Sequence, residues 1–296
     1  MKFGKVADPS QIDFSLPEDH PGTKKVLSEH KKPDRPNLYV GCAKWNKSDL
    51  KGFYPRGTKD ELEHYGTQFN SIELNATFYR IFPADVFAGW YDKTPADFRF
   101  FPKFFQGISH WKRLQEDAQE NLNEFVLNSS NLKEKLEMPF VQLPDNFSPK
   151  DIDRLDPFFK MIPKDIKPAI EFRHTQWFNN AEVSEELYSI LERHQITNII
   201  VDSAGRRDLL HMRLTTPTAF IRYNGSNHES DYTRLDDWIE RLEKWWKEGL
   251  QNIYFFVHQN IEQASPLLSA HFIKKANERF GTNLHIPQMD KPNKLF

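Results

Sequence analysis

Residues Ser71–Phe78 read SIELNATF, and apolar and polar side chains alternate along the first half of this stretch. Ile72 and Leu74 share one parity, while Glu73 and Asn75 share the other. Successive side chains of a β-strand point to opposite faces, so the stretch predicts a strand with one apolar and one polar face.

This run is one of several β-rich runs that alternate with helical stretches along the chain. The β-rich runs cover 38–42, 71–78, 98–104, 140–143, 169–174, 198–202, 219–224 and 253–258. The predicted helices cover 60–69, 84–91, 115–136, 149–159, 183–194, 207–212, 235–246 and 263–276. Eight strands, each followed by a helix, predict an α/β fold of the TIM-like (β/α)8 barrel type. A doubly wound open sheet is the alternative, but no glycine-rich turn follows the first strand to favour it.

The first 36 residues differ from the rest of the chain. They contain Pro9, Pro17, Pro21, Pro33 and Pro36, and no sustained periodicity. We expect residues 1–36 to form an irregular N-terminal extension. Residues 37–290 are then a single barrel domain.

Composition limits the classes of function. The chain has 296 residues, with 40 Lys and Arg against 42 Asp and Glu and a formal net charge of −2. A globally basic nucleic-acid binder is excluded, although a local basic patch is not. The single cysteine, Cys42, excludes a disulfide scaffold and favours a reducing, cytoplasmic location. No apolar stretch is long enough to predict a transmembrane helix.

The polar parity of the strands predicts a site. The apolar parity is expected to face the outer helices, which places the polar parity inside the barrel near its carboxyl end, where barrel enzymes carry catalytic residues. An ion-pair lattice that only fills the barrel is the alternative. The polar set comprises Glu73, Asn75, Lys103, Gln142, Glu171, Arg173, Asp202, Arg222, Asn224 and His258.

The cations in this set favour recognition of an anion. Lys103, Arg173 and Arg222 bring three positive charges together, and arginine forms forked bonds to phosphate or carboxylate. The Asn224–Asn227 loop follows the seventh strand, where barrels often bind phosphate through backbone amides. Aromatic residues in the loops after the strands are suited to stacking bases or sugars. They include Trp45, Tyr79 and Trp177.

Other chemistries are less well supported. Glu73, Glu171 and Asp202 are the available acids, and their strands are not those expected for a common barrel glycosidase. They could join His110, His174 and His258 as metal ligands, but no metal-binding motif is present. Cys42 is a possible nucleophile, although free cysteines are more often small buried residues. The sequence leaves the cofactor, the metal and the oligomeric state open.

Several motifs along the chain belong together. They are 40–45 (VGCAKW), 53–55 (FYP), 69–80 (FNSIELNATFYR), 98–100 (FRF), 108–110 (ISH), 142–144 (QLP) and 171–174 (EFRH). These segments resemble the YecE-like family, also called domain of unknown function 72. The resemblance spans about residues 38–275 and implies a TIM-like barrel without a settled activity. Residues 222–225 (RYNG) and 257–260 (VHQN) depart from the family pattern after the last two strands, where the family usually has Arg-x-His-Gly and Phe-Asn-Asn.

These observations give three hypotheses. The first is a hydrolase for a phosphate-bearing ligand, a nucleotide or nucleic-acid segment, with Glu73 or Glu171 as base and His258 or His110 as proton donor. The second is an acid–base enzyme for a sugar or polyol. The third is a non-catalytic binding protein.

Overall fold

The computed structural model describes residues 4–290. Its strands are β1 (Asn37–Cys42), β2 (Ser71–Leu74), β3 (Arg99–Pro102), β4 (Phe140–Gln142), β5 (Ala169–Glu171), β6 (Thr197–Asn198), β7 (Ile200–Ser203), β8 (Thr218–Gly225) and β9 (Asn252–Gln259). Its α-helices are α1 (Pro21–Ser28), α2 (Glu61–Gln68), α3 (Ala84–Asp92), α4 (Gln119–Ser129), α5 (Leu155–Met161), α6 (Ala181–Arg193), α7 (Ser230–Glu248) and α8 (Ser265–Phe280).

All paired strands run parallel, which confirms the predicted α/β class. The ladders run in the orders β1-β9-β8-β7, β2-β3 and β4-β5-β6. Single parallel bridges at Phe100–Leu136 and Lys103–Phe140 link β3 to the chain around β4. Between β1 and β2, the side-chain amide of Asn70 takes the place of a ladder, donating to Leu38 O at 2.8 Å and accepting from Val40 N at 3.0 Å.

The sixth predicted strand is split. β6 pairs with β5, whereas β7 pairs with β8, and Ile199 lies between the two short strands. Ile199 and Val201 pack in an apolar cluster with Phe101, Phe140 and Phe220. On this strand the apolar side chains Ile199 and Val201 therefore pack on the inner side, against side chains of other strands. The prediction, which places the apolar side chains of every strand against the outer helices, is wrong here.

The shared face of the strands carries an aromatic layer. Phe101 contacts Phe220, Tyr254 and Phe256 with ring centroids 4.8–5.7 Å apart. The opposite strand faces pack on the helices: Ile221 and Phe255, for example, lie with residues of α7 and α8. Burial of both faces is typical of parallel sheets.

The N-terminal extension is not irregular throughout, because it contains α1. The side chain of Thr23 donates to Met212 O at 2.7 Å and accepts from Leu214 N at 2.9 Å. Leu27 is buried in the cluster of α7 and α8. Residues 1–3 lie outside the described residues.

Most other helices follow the prediction. The predicted helix at 115–136 is divided into α4 and the 3-10 segment Ser130–Lys135. The predicted helix at 207–212 is instead the 3-10 segment Ala204–Leu209. Of the helices described between residues 4 and 290, none combines the length and the hydropathy needed to cross a bilayer.

The aromatic layer should dominate stability. Phe101→Ala is expected to lower the free energy of unfolding by about 3–5 kcal/mol, because it removes a fully buried ring and leaves a cavity. Urea denaturation measures the change. Leu127→Ala, at a side chain that is 68% exposed, is the control and should change stability by less than about 0.5 kcal/mol. Equal effects of the two substitutions would contradict a packed interior at Phe101.

Candidate functional site

The polar side chains meet where the parallel strands end. Glu73, Gln142 and Glu171 occupy the last or next-to-last positions of β2, β4 and β5, and Lys103 directly follows β3. Arg222 belongs to β8 and has the same parity as Phe220. The polar groups therefore form a layer next to the aromatic layer, at the carboxyl ends of the strands.

Glu73 and Arg222 form a forked ion pair. Arg222 donates from Nε to Oε2 at 2.9 Å and from Nη2 to Oε1 at 2.7 Å. Asn75 also donates to Oε1 at 2.7 Å, and His258 Nε2 lies 3.0 Å from Oε2. Glu73 has no solvent exposure, so these four contacts supply the partners that burial of a carboxylate requires.

The carboxylate of Glu171 joins the same network from β5. It accepts from Arg173 Nε at 2.5 Å and from Arg222 Nη1. Gln142 Oε1 accepts from Lys103 at 2.9 Å, from Arg173 at 2.7 Å and from Arg222 at 3.3 Å. An amide oxygen carries no formal charge, so it does not neutralise the three cations that share it.

The carboxylates are held ionised. Burial alone would raise the pKa of Glu171, but Arg173 and Arg222 overcome it and lower the pKa to about 2. Burial opposes ionisation of Glu73 too, yet Arg222 and His258 hold its pKa well below the usual range. Such carboxylates bind protons weakly. The geometry therefore disfavours the predicted role of Glu73 or Glu171 as general base.

For Lys103 the surroundings favour the neutral form, whereas for the two carboxylates they favour the charged form. Burial, followed by the charge of Arg222, lowers its pKa to about 7. Its Nζ lies 4.0 Å from the ring centroid of Phe78. At neutral pH both protonation states of this lysine are populated, which suits proton transfer.

His258 is oriented by Glu73. An ionised carboxylate can only accept, so His258 Nε2 carries the hydrogen of this 3.0 Å contact. In the neutral ring, Nδ1 is then the unprotonated nitrogen. A carboxylate that fixes the tautomer of a histidine in this way leaves the other nitrogen able to act as a base.

An open cavity of about 550 Å³ borders this cluster. Its wall combines charged, amide and aromatic groups. Of the residues proposed from the sequence as ligand-binding, Asn75, Trp45 and Tyr79 lie on this wall, and Tyr79 is 70% exposed. The lining residues are Ala43, Lys44, Trp45, Asn46, Asp49, Glu73, Leu74, Asn75, Ala76, Tyr79, Lys103, Arg222, His258 and Glu262.

Sequence reasoning missed part of this wall. Lys44, Asn46 and Asp49 come from the loop after β1, and Glu262 follows β9. Lys44 and Asp49 form an ion pair at 3.2 Å. Parity within strands gives no information on loops, although the position of these residues directly after strands was a usable indication.

His110 lies near the cluster but outside the cavity wall. It belongs to the π-helical turn Gly107–Trp111, and its ring contacts Phe78 with centroids 4.9 Å apart. Phe78 thus contacts both His110 and Lys103. Burial and the charge of Lys103 lower the pKa of His110 to about 4, so the ring is neutral at pH 7 and is a poor proton donor.

Two residues predicted for the site, Asp202 and Trp177, do not line the cavity. Asp202 lies on the helix-facing side of its split strand, where Arg234 Nη2 and Trp238 Nε1 both donate to it at 2.8 Å. Trp177 is fully buried in an apolar cluster and donates to Phe147 O at 2.9 Å. Neither side chain reaches the cavity, because helix packing uses both.

The backbone amides of the loop after β8 already donate to side chains of the protein. Ser226 N and His228 N donate to the carboxylate of Asp231, and Asn227 N donates to Gln259 Oε1 at 3.0 Å. Asn224 is paired with His258 in the ladder but does not line the cavity. The predicted phosphate contact through these amides is therefore disfavoured, because side chains already satisfy them.

The described residues support neither a reactive thiolate at Cys42 nor a cluster of metal ligands. Cys42 is buried, and burial raises the pKa of its thiol well above the usual range. His174 instead accepts from Gln176 N at 3.2 Å and caps a short turn. Within residues 4–290, no three His, Cys, Asp or Glu side chains converge as metal ligands.

Comparison with known proteins places the chain in a family. Residues 39–292 match the family described as "Protein of unknown function DUF72". The chain belongs to this DUF72 family. The match confirms the resemblance to YecE-like proteins that the sequence motifs indicated.

Individual relatives agree with this assignment. The UPF0759 protein YecE of Escherichia coli K12 is 28% identical over 276 residues, covering 85% of this chain and 98% of the relative. The UPF0759 protein YunF of Bacillus subtilis is 30% identical over 151 residues, covering 48% of this chain and 52% of the relative.

Two crystal structures of DUF72 proteins share the fold. The Thermotoga maritima protein matches with a TM-score of 0.67 and 26% identity, covering 80% of this chain and 98% of its own. The Enterococcus faecalis protein matches with a TM-score of 0.68 and 20% identity, covering 81% and 95%.

The buried ion pairs predict a pH-dependent stability. The pKa of Glu171 is about 2 in the folded chain and about 4.3 in an unfolded one. The stabilisation from its ionised form is thus complete above about pH 4.3 and is lost as the pH falls towards 2. Glu171→Gln should be less stable than wild type by roughly 3 kcal/mol at pH 6, and the difference should shrink towards pH 2.

Urea unfolding at several pH values measures this difference. Glu182→Gln, at an exposed position of α6, is the matched control and should follow the wild-type pH dependence. If the difference in free energy of unfolding between wild type and Glu171→Gln stays constant from pH 6 to pH 2.5, the assignment of an ionised buried Glu171 is wrong.

Proposed function

We propose that the cavity at the carboxyl ends of the strands binds a phosphate-bearing ligand, a nucleotide or a nucleic-acid segment, and hydrolyses it. The observation that supports this best is the meeting of Lys103, Arg173 and Arg222 on one uncharged oxygen of Gln142. With Lys103 protonated, the cluster has one positive charge more than its two carboxylates neutralise. An anion in the cavity would balance it.

The architecture proposed around this site is a closed TIM-like (β/α)8 barrel of residues 37–290 with an N-terminal extension. Counting β6 and β7 as one interrupted strand gives eight strands. The ladders, the two bridges and the Asn70 contacts give each of them a neighbour on both sides. We also propose a cytoplasmic location, since the single cysteine is unpaired and buried.

Donors towards an anion come from Arg222 and Lys103. Four of the five N–H groups of Arg222 have acceptors among the described residues, which leaves one on Nη2. The Lys103 ammonium donates one hydrogen bond, to Gln142, and has two further hydrogens. Charge-assisted bonds from such groups are the common means of holding phosphate.

The rest of the cavity suits an organic ligand. A volume of about 550 Å³ lies within the roughly 300–1,000 Å³ typical of small-molecule sites. Trp45 and Tyr79 offer ring faces for stacking a base or a sugar. Asn46 and Asn75 offer amide groups to its hydroxyls.

In the proposed reaction, His258 is the general base. Its Nδ1 would take a proton from water as the water oxygen attacks phosphorus, with Glu73 holding the ring and stabilising the imidazolium. The Lys103 ammonium would donate a proton to the departing oxygen. Arg222 would stabilise the charge that develops on the phosphoryl group.

A sugar or polyol substrate is the second candidate. Asp49 and Glu262 place carboxylates on the cavity wall, and Lys44 pairs with only the first of them. Carboxylates accept hydrogen bonds from sugar hydroxyls but repel additional phosphate groups. This feature favours a ligand with one anionic group and several hydroxyls over a polyphosphate.

Binding is tested by removing one cavity cation. Lys103→Met should weaken binding of inorganic phosphate and of adenosine monophosphate about ten-fold or more, because a hydrogen bond to a charged group contributes about 1.5–3 kcal/mol. Isothermal titration calorimetry at low salt measures the affinities. Lys167→Met is the control, since Lys167 borders a separate cavity at the opposite ends of the strands.

The outcome of this titration separates the hypotheses. Equal weakening in both variants would point to non-specific charge attraction. No binding of phosphate, adenosine monophosphate or single-stranded DNA at low salt would remove the phosphate proposal. Binding without turnover in any screen would favour a non-catalytic binding protein.

Turnover is tested at the proposed base. His258→Gln should lower kcat for a phosphoester found by screening about 10²–10⁴-fold and leave KM within a few-fold, because the general base acts in the chemical step. His174→Gln is the control, as His174 caps a turn and does not line the cavity. Unchanged kcat in His258→Gln would refute the role of this ring.

A further inference from the structure

We propose that Lys103 is an amine nucleophile that forms an imine with a small phosphorylated aldehyde or ketone. This inference rests on the proposed function for the phosphate contact, which Arg222 would supply. It goes beyond that function in naming the carbonyl group and in giving Lys103 a covalent role in place of the proton-donating one. It begins from the surroundings of the lysine Nζ.

Lys103 is a buried lysine without a carboxylate partner. Its side chain belongs to a residue that is only 6% exposed, and its Nζ donates to the amide oxygen of Gln142 at 2.9 Å. No Asp or Glu oxygen among residues 4–290 lies within 4.0 Å of this Nζ. A buried ammonium without a counter-charge favours loss of its proton.

The arginine neighbours of Lys103 strengthen this preference, whereas the nearby carboxylates oppose it. The charged groups that face it are Arg222 and Arg173, which lower its pKa, and Glu171 and Glu73, which raise it; the ring of His110 contacts Phe78 nearby. Both carboxylates are occupied by the two guanidinium groups. Two arginines share the acceptor of Lys103, and a neighbouring cation is one established way to activate a lysine nucleophile.

The free amine has access to a ligand. Lys103 lines the 550 Å³ cavity, whose wall also contains Arg222 and Asn75. The ring of Phe78 covers one side of the Nζ at 4.0 Å. We place the carbonyl carbon in this cavity, on a side of the Nζ that Phe78 does not cover, with the donors for a phosphate group beside it.

The chemical step is balanced without a further reactant. The Nζ lone pair bonds to the carbonyl carbon, the carbonyl π pair moves to oxygen, and a proton passes from nitrogen to oxygen to give a carbinolamine. Its hydroxyl takes one proton from a solvent water molecule, which becomes hydroxide, and leaves as water, while the nitrogen lone pair forms the C=N bond of a protonated imine. No oxidation or reduction occurs.

Reductive trapping tests the proposal on the full chain. The protein is incubated at pH 7 with glycolaldehyde phosphate and sodium cyanoborohydride, whose hydride converts an imine into a stable secondary amine. Labelled lysines are then mapped by peptide mass spectrometry. At pH 7 a lysine with a pKa near 7 has about a thousand-fold more free amine than an ordinary lysine.

Lys135 is the matched internal control. It is 4% exposed, and burial lowers its pKa as well, but its Nζ donates to Tyr91 O and Thr94 O, both at 2.6 Å, away from the cavity. We expect labelling of Lys103 to exceed labelling of Lys135 about ten-fold or more, since of the two only Lys103 lines the cavity. Labelling should rise as the pH passes through about 7, after correction for the reaction of Nα-acetyl-lysine, whose side-chain amine is free.

Competition separates this inference from the proposed function. Labelling that saturates and is suppressed by inorganic phosphate supports both the phosphate site and the nucleophilic role of Lys103. If labelling of Lys103 is no greater than that of Lys135 while phosphate still binds in calorimetry, the nucleophilic role is wrong and the phosphate site is retained. Equal labelling by unphosphorylated glycolaldehyde, with no phosphate binding, supports the nucleophile and overturns the phosphate contact.

Discussion

The guanidinium of Arg222 lies between the carboxylates of Glu73 and Glu171, and the arrangement of the site depends on this buried contact. It ties β8 to β2 and β5, three strands that are far apart in the sequence. Removing charges from water is costly, so the pairing must be nearly complete to be tolerated. The forked bonds to Glu73 and the further contacts from Asn75, Arg173 and His258 meet this requirement.

The aromatic layer makes the electrostatics of this network strong. Phe101, Phe220 and Phe256 pack directly below it and keep water out. Charges in such a medium interact more strongly than at the surface, so each group responds to its neighbours. The same surroundings therefore hold Glu171 ionised and favour the neutral form of Lys103.

A second buried network shows how a similar set of residue types can be structural. Asp202 binds Arg234 and Trp238 on α7, and Arg207 joins them from the segment after β7. Arg234 also lies 4.3 Å from the ring of Phe14 in the N-terminal extension. This network fixes the extension and α7 to the strands. Asp202, Arg234 and Trp238 do not line the 550 Å³ cavity, and Arg207 borders a separate cavity of about 400 Å³ with residues of the extension. The two networks differ in the space they border, not in composition.

The order of strands and helices could be predicted from the sequence, because hydrophobic periodicity is a local property. For the same reason the alternation in β2, β4, β5 and β8 predicted which side chains meet at the carboxyl ends. This prediction failed at the split strand. There Ile199 and Val201 pack against the aromatic layer, and Asp202 instead contacts Trp238 of α7. Loop residues such as Lys44 and Glu262 also escaped prediction, since no periodicity governs them.

The sequence by itself determined the α/β class, the family and most of the polar side chains at the strand ends. Only the tertiary structure decided which of these groups are buried as ion pairs, which histidine borders the cavity, and which lysine lacks a carboxylate. These properties depend on distances between strands remote in the chain, because a pKa is set by burial and by partner charges rather than by sequence neighbours.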